Sequence, residues 1–173
     1  ANDARKWEIL SANFCWDNLN KPTKKCLEII KNTNLIISGN SDCKNLYKGH
    51  IVLPQTGIEI NRFKPCEEKE FDVVYLGRED KLKGVDYIRE AYPDTQFFSD
   101  VSYDKVPEIL SKTKVFVSYP YDSPNWREQW MSYSVAEALA SGCLVIMSDT
   151  QSAKEYLENS PVFLVPMQNT EEL

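Results

Sequence analysis

From residue 71 to the end of the chain, short apolar runs alternate with segments of helical spacing, and no other feature constrains the fold so tightly. The runs Asp72-Val73-Val74-Tyr75-Leu76, Val115-Phe116-Val117-Ser118, Leu144-Val145-Ile146-Met147 and Val162-Phe163-Leu164-Val165 are brief and apolar on both faces. A weaker run covers residues 95–98. Helical segments are expected at residues 85–91, 105–111, 134–140 and 153–157, the third ending at Gly142. Strands that are apolar on both faces belong in a parallel sheet, with the intervening helices as cover. The expected fold is therefore α/β, a Rossmann-like parallel sheet with helices on both faces. Ligands of such folds sit at the carboxyl ends of the strands, so function is expected in the loops at residues 77–84, 119–133 and 148–154.

The upstream part is less regular. One helical piece carries Trp7, Ile9, Leu10 and Phe14; a second has Pro22 in its first turn and runs through Cys26, Leu27, Ile29 and Ile30. Residues 35–37 read as a buried strand, Ser41 as the cap of a short helix ending at Lys48-Gly49, and residues 51–53 as a second brief strand. Residues 54–65 read as a connector, followed by a solvated acidic run at 67–70.

Charge and cysteine usage narrow the function. Acidic residues outnumber basic ones by 26 to 20, so the broad basic face needed to grip nucleic acid is not expected. The five cysteines have no C-x-x-C spacing and are odd in number, which argues against a metal cluster or a disulfide framework and for a reducing, cytoplasmic compartment. The polar start of the chain lacks the apolar core of a signal peptide, and no apolar run approaches the ~20 residues that span a bilayer.

Two loops carry candidate chemistry. Gly77 permits a tight turn directly off its strand, with Arg78 at the strand's mouth and Lys83-Gly84 just before the next helix. Two cations there can bracket a diphosphate, the guanidinium through paired hydrogen bonds and the ammonium as a mobile point charge. Gly84 would let the backbone approach a ligand closely. Spacing alone favours the plainer reading, a surface loop of solvated charges, which is how Glu79, Asp80 and Lys81 read. Downstream, a helix beginning near Ser132 or Ser134 would aim unpaired N–H groups at the same face, a natural phosphate site. Glu137, one turn in, could accept hydrogen bonds from vicinal hydroxyls. Ser134-Val135-Ala136-Glu137 also fits a capping box, and both readings stand open. The aromatics Tyr119, Tyr121, Trp126, Trp130 and Tyr133 read as packing beneath a long loop before they read as stacking platforms. His50 reads as a surface or capping residue.

Val74-Tyr75-Leu76-Gly77-Arg78, then Lys83-Gly84, then Glu137-Ala138-Leu139-Ala140-Ser141-Gly142 resemble the C-terminal domain of retaining GT-B glycosyltransferases of family four, over roughly residue 35 to the end. Pro54-Gln55-Thr56-Gly57-Ile58-Glu59 and Arg62-Phe63-Lys64-Pro65 are similar to that family's connector, and Ser148-Asp149 and Glu155 fall in its loop after the next strand. The resemblance implies transfer of a sugar from a nucleotide diphosphate, UDP- or GDP-linked, with retained configuration. It implies that Arg78 and Lys83 bind the diphosphate and supply the main catalytic contribution by stabilising it as it departs. Glu137 would bind the ribose, and backbone amides around Met131, Ser132, Tyr133 and Ser134 would hold phosphate oxygens, with Gly77 and Gly84 shaping the first loop. No metal and no other cofactor is implied, and the chain has no Asp-x-Asp pair. The sequence departs from the pattern in places. Gln129 stands where the first of two paired glutamates is usual, with Glu128 one residue off; Ser132 replaces a glycine, and Gln151-Ser152 replace two more. Residues 119–130 are also longer than the family's loop.

The resemblance divides the chain into residues 1–53 as the tail of an N-terminal acceptor domain, 54–70 as interdomain connector, and 71–173 as the nucleotide-sugar-binding domain, cut short at its C-terminus. The acceptor site, and any peripheral membrane association, would belong to the missing N-terminal domain, leaving this chain inactive alone. Two other functions compete: a non-catalytic nucleotide-sugar-binding module, suggested by Gln129, and a GT-B fold sugar epimerase. A receiver domain is disfavoured, because Gly77-Arg78 stands where its acidic cluster would be.

Overall fold

The computed structural model describes residues 24–31, 36–48, 51–53, 57–123, 128 and 132–173. The helix expected at residues 7–14, Pro22, His50, Trp126, Gln129, Trp130 and Met131 lie outside the described residues. Helix α1 (Lys24–Lys31) is followed by a small β–α–β unit: β1 (Ile37–Ser38), α2 (Ser41–Tyr47) and β2 (Ile51–Val52). Its two strands pair in parallel, Ile37 opposite Ile51 and Ser38 opposite Val52. The cap of α2 is Asn40 and not Ser41, because the Asn40 side-chain oxygen reaches the Cys43 amide at 2.8 Å and Ser41 becomes the first helical residue.

Five further strands build one parallel sheet: β3 (Phe71–Leu76), β4 (Gln96–Phe98), β5 (Thr113–Ser118), β6 (Leu144–Ser148) and β7 (Val162–Val165), in the order β4-β3-β5-β6-β7. The register sets Val74 beside Phe116, Phe116 beside Val145, and Val145 beside Val162. Helices α3 (Val85–Ala91), α4 (Val106–Ser111), α5 (Tyr133–Ala140) and α6 (Gln151–Leu157) connect them. The fold is thus the Rossmann-like α/β arrangement expected from the alternation.

The period of two in each strand decides which helix covers which face. Tyr75 and Val117 point toward α3, where Val85 and Ile88 pack with Tyr119. Val74, Phe116, Val145 and Met147 point the other way, into a core shared with Val106 and Leu110 of α4, Val135 and Ala138 of α5, and Ala153 and Leu157 of α6. Phe63, from the connector, is 2% exposed and joins that second core. Burying a side chain of this size stabilises by roughly 2–3 kcal/mol, so Phe63 fastens the segment around it to the core.

Two helix starts differ from expectation. Helix α6 begins at Gln151, before the expected residue 153, because the Thr150 hydroxyl accepts from the Ala153 amide at 3.3 Å and so caps the helix. Helix α5 begins at Tyr133 with Ser132 at its N-cap, and Ser134 is already helical. The small β–α–β unit rests on α6: Asn40 donates to the Ser152 hydroxyl at 3.0 Å, and Tyr156 donates to the Gly39 carbonyl at 2.7 Å. The Ser41 amide donates to both Glu155 oxygens, each at 3.0 Å. Among the described residues no helix is long and apolar enough to cross a membrane.

Strand order sets where a ligand can enter. From β3 the chain steps to β4 on one side through α3, then returns across β3 to β5 through α4, on the opposite face. The chain therefore leaves β3 and β5 toward opposite edges of the sheet, which makes the space at their carboxyl ends the topological switch point.

Candidate functional site

The loop leaving β3 turns at Gly77, whose φ is +151°, and places Arg78 exposed at the strand's end. Buried Tyr75, the penultimate residue of its strand, donates its hydroxyl to the Arg78 carbonyl at 2.5 Å and so steadies the turn. Burial first, and the nearby Glu79 and Asp80 carboxylates next, push that phenol up to about 12, keeping it a donor. Arg78 itself makes no ion pair with any of the described residues. Asp80 is more than a solvated charge: its carboxylate accepts from the Leu82 amide at 2.9 Å and caps the single 3-10 turn Lys81–Lys83. Glu79, though exposed, is paired with Arg89 and accepts from Ser99 at 3.1 Å, and the Arg89 hydrogen bond chiefly holds its carboxyl below the ordinary range.

Gly84 closes that turn at φ +69°. The close backbone approach expected there is to the protein: a Cβ at this position would lie 2.0 Å from the Tyr119 carbonyl oxygen. The Tyr121 amide also donates to the Leu82 carbonyl at 3.2 Å. The loop after β3 and the loop after β5 are thus in direct contact at the switch point. Across them, the Lys83 ammonium meets the Glu128 carboxylate at 2.7 Å, with side chains 29% and 11% exposed. Predicted phosphate ligand and neighbouring acid are therefore brought together, a pairing that 45 residues of sequence separation conceals.

The α5 end differs from the capping-box reading. Ser132 supplies no side-chain cap, and its hydroxyl lies 2.8 Å from that of Ser134. The first-turn amides, which have no partner within a helix, are left to other groups. Glu137 does not close back on Ser134; it is 4% exposed and accepts from the Tyr103 hydroxyl at 3.1 Å. Arg62 of the connector lies over the Tyr103 ring at 4.8 Å. Burial raises the Glu137 carboxyl above its ordinary range, opposed by the Tyr103 hydrogen bond and the Arg62 charge. Tyr103 and Arg62 were not among the expected site residues, and nothing in their local sequence points to Glu137.

The described aromatics of the long loop divide in use. Tyr119 is fully buried, donating to the Pro166 carbonyl at 2.5 Å and accepting from the Asn169 amide at 3.0 Å. Tyr121 meets Tyr87 edge-on at 5.7 Å, while Tyr133 is exposed. Two of the three are therefore packing, as the plainer reading expects. A cavity of about 250 Å³ opens beside α3, lined by Lys81, Asp86, Tyr87, Glu90 and Tyr121, and none of the expected donor residues lines it.

The sheet is wound to both sides, with Arg78 and Lys83 on the loop at its switch point, the place where doubly wound α/β folds bind their ligands. The family described as "Glycosyl transferases group 1" matches residues 43–173, and the chain belongs to that family. No curated protein matches it. Among solved structures, sucrose-phosphate synthase from Thermosynechococcus elongatus superposes with a TM-score of 0.67 at 18% identity, over 87% of this chain and 50% of that one. HepE of Anabaena, solved with UDP and glucose, gives 0.66 at 13% identity, over 87% and 55%. A glycosyltransferase from Rickettsia africae gives 0.66 at 14% identity, over 88% and 55%. At these identities the likeness is one of fold, the Rossmann-like domain of GT-B glycosyltransferases, and the chain spans about half the length of the structures it matches.

Proposed function

We propose that this chain is the donor-binding half of a retaining glycosyltransferase of family four that uses a nucleoside-diphosphate sugar. The observation that carries the reading is the meeting of the β3 and β5 loops at the switch point, with Arg78 exposed at its rim and Lys83 in the contact. In this reading the donor's diphosphate lies across the crevice, bound by both cations and by the first-turn amides of Tyr133 and Ser134. Glu137 accepts from the ribose hydroxyls, with Tyr103 holding its other oxygen. As the bond from the anomeric carbon to the diphosphate oxygen breaks, Arg78 and Lys83 neutralise the charge gained by that oxygen, and the acceptor oxygen forms the new bond on the sugar. The acceptor loses its proton to the departing phosphate. The neighbour solved with UDP and glucose supports a uridine diphosphate donor. The acceptor-binding domain would be supplied by protein outside residues 71–173, with residues 1–53 as the tail of that domain.

Calorimetric titration with UDP, GDP, ADP and pyrophosphate tests the reading. Arg78→Ala and Lys83→Ala are each expected to weaken diphosphate binding by about 10- to 100-fold, the worth of a charge-assisted contact, in a domain that remains folded. Equal affinity in wild type and both variants would remove the assignment.

A further inference from the structure

The Lys83–Glu128 pair is held in place from behind. Ser152, fully buried at the start of α6, donates its hydroxyl to the Glu128 carbonyl at 3.2 Å. That hydroxyl in turn accepts from the side-chain amide of Asn40, 2% exposed, at 3.0 Å. Asn40 has its own second duty, its side-chain oxygen capping α2 at the Cys43 amide. A buried polar chain therefore runs from the β1–α2–β2 unit through α6 to residue 128, and ends in a carboxylate on the amine of Lys83. Its four members, residues 40, 152, 128 and 83, come from four separate segments, and Asn40 and Ser152 are buried at 2% and 0% exposure.

From this geometry we infer that Glu128 is a positioning residue that occupies Lys83 until a diphosphate takes its place, and that Ser152 and Asn40 hold it there. The inference rests on the reading of Lys83 as a diphosphate ligand. A carboxylate at 2.7 Å presents to the ammonium the same chemistry as a phosphate oxygen, negative and hydrogen-bond accepting. In the partly shielded crevice the ammonium is thereby kept pointing inward and its burial is compensated. An incoming diphosphate exchanges one anion for another: it takes Lys83 and leaves Glu128 to turn toward water. The exchange keeps affinity below what the cations alone would give, since the bound phosphate also lies near a displaced like charge. Product diphosphate is then released more readily than from an unopposed lysine.

The test titrates UDP and pyrophosphate into the 173-residue chain as wild type, Glu128→Gln, Lys83→Ala, the double variant, Ser152→Ala and Asn40→Asp. Glu128→Gln keeps shape and removes charge, and is expected to bind both ligands about five- to tenfold tighter, a gain that disappears in the Lys83→Ala background. Ser152→Ala, which frees the Glu128 backbone, should raise affinity about two- to threefold. Asn40→Asp, which still caps α2 but cannot donate to Ser152, should move the same way. Equal or weaker binding by Glu128→Gln while Lys83→Ala still loses it overturns the inference and leaves the diphosphate reading intact. A gain that persists without Lys83 overturns it too, since it would come from general repulsion. Unchanged binding by Lys83→Ala would end the diphosphate reading itself, and the inference with it. A purely structural role for Glu128 predicts loss of affinity, the opposite sign.

Discussion

Cys143 shows how much a single side chain can be read locally and how much it cannot. The sequence presents it as an isolated thiol, and the structure buries it between α5 and β6, donating to the Leu110 carbonyl at 3.1 Å. Burial pushes this thiol from 9.0 up to about 11, against a weaker pull from Lys69. Its folded pKa is raised, so the stability it contributes is complete below pH 9 and is lost as pH climbs to 11, because only the unfolded chain then gives up the proton. Two units correspond to roughly 2–3 kcal/mol. Urea midpoints measured across that window should fall in the wild type, and Cys143→Ala should fall less steeply while starting lower. Parallel curves would show the thiol is not the source. Glu137 illustrates the opposite case. Its place in the motif was legible, yet its hydrogen bond to Tyr103 spans 34 residues and depends on how α4 and α5 pack, which no local spacing encodes.

At the scale of elements, strands were the most legible part, since an apolar run gains by burial whatever its neighbours are, although Leu144 and Phe163 stay exposed at 44% and 59%. Boundaries moved at three helix starts. Asn40 took the N-cap of α2 from Ser41, Thr150 started α6 early, and Ser132 took the N-cap of α5 from Ser134. The capping-box reading failed for the same reason: a shift of the helix start by one turn position separates the residues that would have closed it. The contact between the β3 and β5 loops was not legible, because it joins backbone to backbone. Gly84→Ala tests it. A methyl group would stand 2.0 Å from the Tyr119 carbonyl oxygen, on a backbone at φ +69°. The left-handed conformation alone costs about 1–2 kcal/mol, and the clash adds to it. A loss of about 3 kcal/mol or more in chemical denaturation is expected; a loss below 1 kcal/mol would mean the two loops separate freely.

For the whole molecule, the unequal depth of its two sheets predicts unequal stability. β3, β5 and β6 lie between helices on a common core, whereas β1 and β2 are two residues each and rest on α6 through a few polar contacts. Hydrogen exchange should therefore protect the amides of β3, β5 and β6 most and those of β1 and β2 least, opening as a separate unit. Uniform protection would show that the small unit and the large sheet unfold as one. The parallel α/β class was legible here, but the docking of the small unit on α6 was not, since its three contacting pairs each span more than 110 residues of sequence.

The crevice between β3 and β5 follows from the order in which the strands are laid down and from no one side chain. A place of that origin is inherited with the chain's path: its lining can be rewritten residue by residue while its position at the strand ends is kept. On the donor-binding reading proposed above, affinity and selectivity are adjustable by exchange of a few loop side chains, whereas abolishing the binding place would require the chain to be rerouted.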